Sequence, residues 1–434
     1  MKIEEYRDVL NKLGALISDS EFRGHVYSVG GCERDRYLGQ DIKDIDLVVD
    51  LPNGGIRLAN WLYEKGYLVY APVTYENYGT AMFHLKTHPN IELEAVQTRK
   101  ESYRDMTTRN PETAFGTIHE DCMRRDFTMN ALYRMVGTDE LFDFTGMSID
   151  DIKARTIRSC DDPNIIFKED PLRILRALRF KARLGWEIEV VTYAGMLNNV
   201  DRLEIISTER ITDEFDKILN CNAPGNVLNI ARTIGVLKYI SPLLADMDDG
   251  AWRDAVNSLT YSMKGRNERV PILFYYADKS KVRQALRDMK YPNDFIDDCM
   301  FVINEIPTVL GMGKTFDDVD VVEVRKLQNR AKYDRLIGVL VFSANAIKNK
   351  DVKYGEKRDP QVIHVLSKSL ALQHLGEACF VTNVPVDGND VMDMKGLEPG
   401  KKVSEYIAAL KEEWFKNPKI SRVELLGFLS KLTL

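Results

Sequence analysis

The sequence predicts an α+β domain at its amino-terminal end, followed by a long region built from helices alone. Ile45, Leu47 and Val49 alternate with other residues, and this period of two is typical of a β-strand. From Ile149 onward, apolar residues recur at helical spacing with no convincing run of alternation. The chain has 434 residues, more than a usual domain of about 100–200, so we expect two to four domains.

Composition excludes several classes of protein. Hydrophobic residues make up 44% and charged residues 29% of the chain, which are ordinary shares for a globular protein and exclude disordered and fibrous classes. Lysine and arginine total 60 against 66 acids. The resulting net charge of −6 argues against a protein coated in nucleic acid, but it allows a local basic track.

The sequence also favours a cytoplasmic location. The longest weakly polar run, 336–347, is shorter than the ~17–25 residues of a membrane-spanning helix. The opening residues MKIEEYRDVL do not have the pattern of a secretory or transit peptide. Six cysteines without a CxxC pair are typical of reduced thiols rather than of a disulfide framework or a zinc site.

The first ~145 residues contain the strand candidates. Apolar residues from Ile3 to Leu16 recur at helical spacing, and HVYSV then reads as a short strand that ends at Gly30-Gly31. The glycine turn is predicted to open a helix, after which DIDLVVD reads as a strand. Further strand candidates span residues 80–85, 91–96 and 132–135.

Helical patterns fill the rest of the chain. Ser207 is a plausible N-cap with Glu209 in the first turn, and Gly235 interrupts a helical run. Breaks at 221–225 and in the charge-dense stretch 348–360 are the best candidates for linkers.

Two carboxylates in DIDLVVD have a spacing that suits a metal ion. Asp44 and Asp46 are residues i and i+2 of the predicted strand, so their side chains project from one face and can converge on a divalent cation. A lone pair of this kind is also common at a solvated strand edge or turn. The surrounding string VGGCERDRYLGQDIKDID favours the functional interpretation, because glycines and arginines precede the carboxylates.

Other residues of the predicted sheet could complete such a site. Gly30 and Gly31 can let backbone N–H groups approach a phosphate, and Arg34 and Arg36 could neutralise it. In IELEAVQTR, Glu92 and Glu94 share one face and could add a third carboxylate. A solvated outer face is an equally good reading of that pattern.

One helix of the second region is strongly basic. Four arginines recur at helical spacings along PLRILRALRFKAR, at positions 173, 176, 179 and 183. Such a face could receive a triphosphate or the end of an RNA, although a solvated amphipathic helix has the same pattern.

Six motifs in order resemble the class II tRNA nucleotidyltransferases, that is, the CCA-adding enzymes and bacterial poly(A) polymerases. The motifs are VGGCERDRYLG with DID, RKESY, RNP, RRDFTMNAL, FDFTG and FKEDPLRILRALRF. The resemblance is strong over residues 24–235 and looser to the carboxyl terminus. It implies a head of the DNA polymerase β type at 1–148, a helical neck with a base template at 149–221, a helical body at 222–350 and a tRNA-binding helical tail at 351–434.

The resemblance also implies roles for individual residues. Asp44 and Asp46 would hold Mg²⁺, and Glu94, five residues before Arg99, would be the third catalytic carboxylate. The residues implied to bind the nucleotide are Gly30, Gly31, Arg34, Arg125, Asp126, Asn130, Asp170, Arg173, Arg176 and Arg179.

Asp170 and Arg173 match the base-reading motif of the family. They are i and i+3 on a predicted helix and therefore share a face. An ionised Asp only accepts hydrogen bonds and an Arg only donates them. Cytosine and adenine each offer an amino donor beside a ring-nitrogen acceptor, so such a pair accepts C and A and rejects U and G.

The implied function is addition of the 3′-terminal CCA to tRNA from CTP and ATP, with the acceptor end and upper half of tRNA as partner and no obligate protein partner. A poly(A) polymerase, or an enzyme that adds only CC or only A, shares the head motifs. The polar loop between Tyr103 and His119 favours full CCA addition, because a shortened loop accompanies CC-only addition in the family. A tRNA-binding protein with an inactive head, and a small-molecule nucleotidyltransferase, are the alternatives from other classes.

Overall fold

A computed structural model describes residues 1–76, 79–102, 112–353, 356–375 and 384–434. The chain divides into two compact units. Unit 1 comprises Met1–Ile218 and Ile230–Ile240, and unit 2 comprises Leu219–Asn229 and Ser241–Leu434. The RNP motif at 109–111, Tyr103 and Cys379 lie outside the described residues.

The first part of unit 1 mixes strands and helices, as the sequence predicts. Its elements are α1 Ile3–Ile17, β1 Val26–Val29, α2 Gly31–Tyr37, β2 Ile45–Val49, α3 Gly54–Glu64, β3 Val73–Tyr75, β4 Thr80–His84, β5 Glu92–Gln97, β6 Arg99–Ser102, β7 Glu112–Phe115, α4 Ile118–Met123, β8 Leu132–Met135 and β9 Leu141–Asp143. Seven strands form one sheet in the order β3-β4-β5-β2-β1-β8-β9, and β6 pairs with β7 separately. Within the sheet β2 and β5 are parallel, whereas the other neighbouring strands are antiparallel.

Alternation along β2 and β5 decides which side chains reach the core. Ile45, Leu47 and Val49 are buried in a large apolar cluster with α1 and α3, and Leu93 and Ala95 of β5 join the same cluster. The opposite face carries Val48 in a second, smaller cluster. The acidic residues of both strands therefore point away from the main core, as the period of two predicts.

Helices dominate residues 148–240, with two short strands among them. The elements are α5 Ser148–Ala154, β10 Thr156–Ile157, α6 Pro163–Glu169, α7 Leu172–Leu184, β11 Glu187–Ile188, α8 Val190–Asn199, α9 Thr208–Leu219, α10 Pro224–Thr233 and α11 Leu237–Ile240. The sequence predicts no strand here, but β10 and β11 pair in parallel. Two residues are too few to show alternation. Gly235, with φ of 81°, separates α10 from α11 as expected.

Unit 2 is helical throughout its described residues, which confirms the prediction for this region. Beyond residue 240 its helices are α12 Pro242–Ala245, α13 Asp249–Leu259, α14 Arg266–Tyr275, α15 Lys279–Asp288, α16 Asn293–Gly311, α17 Val321–Arg330, α18 Asp334–Lys348, α19 Ile363–His374, α20 Gly388–Lys395, α21 Lys401–Lys416 and α22 Arg422–Lys431. A separate apolar cluster, which includes Leu410, Trp414 and Leu425, joins α20, α21 and α22. Across the described ranges, no helix is long and apolar enough to cross a membrane.

Candidate active site

A polar cavity of about 380 Å³ lies in unit 1. It brings together ten of the site residues that the sequence predicts. They are Gly30, Gly31, Arg34, Asp44, Asp46, Arg125, Asp126, Asn130, Arg176 and Arg179. Five further residues line the same cavity: Cys32, Asp35, Lys43, Phe180 and Arg183. The lining thus contains six cationic and four carboxylate side chains, an excess of positive charge that suits a polyanion such as a triphosphate.

The turn between β1 and α2 requires a glycine. Gly30 has φ of 90°, which is in the region that L side chains rarely adopt. A Cβ atom on Gly30 would lie 3.4 Å from Asp46 Oδ2. The bare backbone at this turn therefore lies close to the Asp46 carboxylate, and both line the cavity.

The two predicted metal ligands lie at the start of β2. Asp44 immediately precedes the strand, and Asp46 is its second residue. The exposed carboxylate of Asp44 forms an ion pair with Lys43 at 3.3 Å. Desolvation by the surrounding protein and the charge of Glu94 raise the pKa of Asp46 to about 6, although Arg125 opposes this shift. Positive charge beside Asp46 would therefore stabilise its ionised form.

Glu94 faces Asp46 across the β2–β5 pair. The parallel register aligns Asp46 with Glu94, as expected if neighbouring strands bring the carboxylates together. Glu94 does not line the cavity, however. Within the described part of the chain, no group of three or more His, Cys, Asp or Glu residues is arranged to hold a metal ion.

A buried hydrogen-bonded network fixes one wall of the cavity. The Arg34 side chain is only 1% exposed, and it donates to Asp35 at 2.8 Å and to Asn130 Oδ1 at 2.6 Å. Asn130 in turn donates to Asp126, which also accepts two hydrogen bonds from Arg176. Although burial opposes it, Arg176 and Asn130 lower the pKa of Asp126 to about 2. The network holds two guanidinium groups beside the cavity in fixed positions.

Arg125 is held by two groups that do not line the cavity. It donates to the Tyr133 hydroxyl at 2.7 Å and to Asp121 Oδ2 at 3.1 Å. Asp121 is fully buried and also accepts from Arg124 and from Tyr133. Although burial opposes the charge, Tyr133 and Asp121 raise the pKa of Arg125. Arg125 is therefore a permanently charged group of this wall, and it lowers the pKa of Asp46.

Phe180 of α7 is in contact with three arginines. The guanidinium carbons of Arg179, Arg34 and Arg176 lie 4.4, 5.6 and 5.8 Å from its ring centroid. Arg179 also donates to Glu214 at 2.6 Å. These contacts are within the range of cation–π attraction. The basic face that the sequence predicts on α7 thus lines the cavity, and its arginines are packed around Phe180.

Asp170 and Arg173 lie beside the cavity but do not line it. Asp170 lies in extended backbone between α6 and α7, so the prediction that it shares a helix with Arg173 is wrong. It accepts from the Leu172 N–H and pairs with Arg210 at 3.2 Å. The buried guanidinium of Arg173 donates to the carbonyls of Ile166 and Arg124 at 3.2 and 2.8 Å. Their use as a base template remains a prediction.

A buried glutamate of α2 connects this helix to the neighbouring elements. Glu33 is fully buried and accepts hydrogen bonds from Tyr6, Ser28 and Arg134, the last at 2.8 Å. These partners belong to α1, β1 and β8, so Glu33 ties three elements to the helix that carries Arg34.

Replacing Glu33 with alanine is expected to destabilise unit 1 by about 3–5 kcal/mol, because Arg134 loses its buried partner and two hydroxyls lose their acceptor. Hydrogen exchange of the amides of β1 and α2 in urea measures this loss. As a control, Asp150→Ala removes an exposed carboxylate whose pair with Lys153 is 3.9 Å apart, and it should change stability by less than about 0.5 kcal/mol. Equal exchange in the two variants would contradict the role assigned to Glu33.

The residues that the prediction missed have only weak local signals. Lys43 and Asp35 adjoin predicted residues, and Phe180 lies on the basic helix whose four arginines, Arg183 among them, the sequence already indicates. Asp121 and Tyr133, which hold Arg125, could not be found in this way. Nothing in a single sequence shows that a given Asp or Tyr is buried. The two residues are twelve positions apart, and the fold brings the Tyr133 hydroxyl to the Asp121 carboxylate.

Family models match both parts of unit 1. The model described as "Poly A polymerase head domain" matches residues 26–158, and the one described as "Probable RNA and SrmB-binding site of polymerase A" matches residues 185–247, which extend into unit 2. Together, the sheet, the paired aspartates and the cationic cavity define a nucleotidyltransferase.

Similar proteins define the family more closely. The CCA-adding enzyme of Limosilactobacillus fermentum is 29% identical over 420 residues, with 95% of this chain and 94% of the relative covered. That of a Geobacillus species is 30% identical over 300 residues, covering 68% of this chain and 70% of the relative. The chain belongs to the family of the CCA-adding enzymes.

Solved structures of relatives share the fold. The Bacillus stearothermophilus CCA-adding enzyme in complex with CTP superposes with a TM-score of 0.73 at 20% identity, with 99% of this chain and 97% of that chain covered. The Thermotoga maritima CCA-adding enzyme complexed with tRNA has a TM-score of 0.61 at 21% identity, with 98% and 94% covered. These matches confirm the predicted fold class, a mixed-sheet head followed by helical domains.

Proposed function

We propose that the chain adds CMP and AMP from CTP and ATP to the 3′ end of tRNA, without a nucleic-acid template, and releases pyrophosphate. One observation carries the proposal: two aspartates share a cavity with six cationic side chains in a member of the CCA-adding enzyme family. Relatives of the same fold are described in complex with CTP and with tRNA, which are the substrates that this reaction requires.

We infer that Asp44 and Asp46 hold Mg²⁺. The donor set fits, because Mg²⁺ is commonly bound by one or two carboxylates together with phosphate oxygens and water. The raised pKa of Asp46 fits as well, since desolvation and the neighbouring carboxylates of Glu94 and Asp44 disfavour its charge and a bound cation would offset them. When bound, the cation would lower the pKa of the RNA 3′-hydroxyl and neutralise charge on the α-phosphate. Glu94, aligned with Asp46, is the further carboxylate that we assign to catalysis.

The cationic wall then binds and orients the nucleotide. Gly30 and Gly31 leave the backbone open to the triphosphate, and Arg34, Arg176 and Arg179 neutralise its charge. Arg125, Asp126 and Asn130 contact the sugar and phosphates. In the transfer, the RNA 3′-oxygen forms a bond to the α-phosphorus while the bond to the β-phosphate oxygen breaks, so that pyrophosphate leaves. The protein contributes mainly position and charge.

Asp170 and Arg173 select the base in this proposal. Asp170 accepts hydrogen bonds and Arg173 donates them, so together they match the amino donor and the ring-nitrogen acceptor of cytosine and adenine. The nucleotide would enter with its base towards α7, next to the arginines that bind its phosphates. We further propose a head at 1–148, a neck at 149–221, a body at 222–350 and a tail at 351–434 that bind the acceptor end and upper half of cytoplasmic tRNA.

The test is incubation of the purified chain with Mg²⁺, all four nucleotides and tRNA that lacks its 3′ end, followed by sequencing of the products. Addition of C, C and A followed by arrest supports the proposal. A run of A would instead assign poly(A) polymerase activity, which the names of both matching family models make the second candidate. Binding of tRNA without any addition would indicate an inactive head.

A further inference from the structure

Unit 2 contains a second cavity, of about 390 Å³, that the proposed chemistry does not use. Its apolar lining is formed by Val302, Leu336 and Val339, with the buried Cys299. Phe295 and Tyr333 add aromatic rings, and Arg266 and Arg335 add exposed cations. Apolar surface, aromatic rings and guanidinium groups together match a flat base that carries a phosphate.

The aromatic side of this cavity is built for stacking. The Arg266 guanidinium lies 5.0 Å from the centroid of the Phe295 ring, and Phe295 packs on Tyr291 with centroids 4.7 Å apart. Tyr333 is 43% exposed, yet its hydroxyl is fixed by a hydrogen bond to Asp298. A ring that is both oriented and accessible can stack on a base with little loss of conformational entropy.

The polar groups fit the rest of a nucleotide. Three helices, α14, α16 and α18, begin at the cavity, and none of their N-cap residues, Gly265, Pro292 and Tyr333, caps its helix through a side chain. Amide groups of these first turns, together with Arg335, favour a phosphate. The acid Asp298 pairs through its buried Oδ1 atom with Lys332 at 3.4 Å and accepts the Tyr333 hydroxyl at Oδ2, so its charge is met within the protein.

We propose that this cavity binds a single unpaired nucleotide of the RNA substrate, with its base stacked against Phe295 and Tyr333 and its phosphate near Arg335. The inference rests on the proposed tRNA substrate, and it assigns a second contact point far along the chain from the transfer site. RNA-binding proteins commonly take splayed bases in this way, because every base has a face that stacks on an aromatic ring.

The test uses the full chain, without nucleoside triphosphates, and tRNA that lacks its 3′ end and carries 4-thiouridine. Val339→Phe fills the cavity and Val339→Ala is its matched control, whereas Arg335→Ala removes a cation and Arg253→Ala removes an exposed arginine that does not line the cavity. We expect Val339→Phe and Arg335→Ala to raise the Kd for tRNA about 5-fold or more, and the two controls to leave it within about 2-fold. Arg335→Ala should also reduce the slope of log Kd against log salt by about 0.7.

Photocrosslinks from the RNA to peptides that contain Phe295 or Tyr333 would support the assignment. An unchanged Kd in both cavity variants, with crosslinks confined to other peptides, would overturn it. Binding of free AMP or CMP that Val339→Phe abolishes, without any effect on tRNA affinity, would overturn it in favour of a site for free nucleotides. Since none of these measurements needs turnover, they separate this inference from failure of the chain to add CCA.

Discussion

Replacing Asp46 with alanine is expected to abolish nucleotide addition, with a loss of about 10³-fold or more in rate. Only two carboxylates of this chain line the part of the cavity at the start of β2, so loss of one leaves a divalent cation a single protein ligand. The charge that such a cation neutralises in the transition state is worth several kcal/mol, and about 1.4 kcal/mol corresponds to each factor of ten. Single-turnover incorporation of labelled CMP measures the effect, and Asp44→Ala should behave in the same way.

Binding and stability separate this loss from a folding defect. The Kd for tRNA should stay within about 2-fold of the parent, because the RNA contacts proposed for the helical domains are intact. Asp46→Asn should be at least as stable as the parent when divalent cations are removed, since the nearby carboxylate of Glu94 helps to raise the pKa of Asp46 and so disfavours its charge. Asp41→Ala is the matched control, because Asp41 is an exposed acid of the same loop whose ion pair, within the described residues, is with Lys2. Full incorporation by Asp46→Ala would refute the assignment.

The sequence predicted this site well where the signal was local. The alternation in DIDLVVD and IELEAVQ placed Asp46 and Glu94 on the faces that the structure gives them, because strand periodicity is a property of consecutive residues. The glycine turn before α2 could be predicted equally well, because few residues other than glycine adopt a positive φ.

The contacts that hold the site together could not be predicted in this way. Arg34 meets Asn130 across 96 positions, and Arg176 meets Asp126 across 50. Nothing in either local pattern distinguishes these arginines from those of a solvated helix face. Helix α3 was also missed, although it packs against β5. Packing across long separations selects one partner among many, and that choice depends on the whole fold rather than on spacing.

Replacing Arg173 with alanine is expected to reduce the preference for CTP and ATP over UTP and GTP by about 10-fold or more. A hydrogen-bonding side-chain pair that reads a base edge contributes about 1–3 kcal/mol of discrimination, and the template loses its only donor when Arg173 is removed. The ratio of kcat/KM for each nucleotide, measured on tRNA that ends before the CCA, gives the effect. Because the rates for UTP and GTP should rise relative to those for CTP and ATP, the result differs from a uniform loss of activity.

The structure supplies a competing role that the same experiment tests. Arg173 donates to the carbonyls of Ile166 and Arg124, so it also connects α6 with the segment that carries Arg125. If this structural role were the only one, Arg173→Ala would lower the rate for all four nucleotides equally and leave base preference intact, which would refute the template. Arg202→Ala is the matched control, since Arg202 also donates to a carbonyl of α6, that of Lys168, and should not alter base preference. A guanidinium carries five N–H groups, so these two carbonyl contacts do not exclude a role for Arg173 in reading a base.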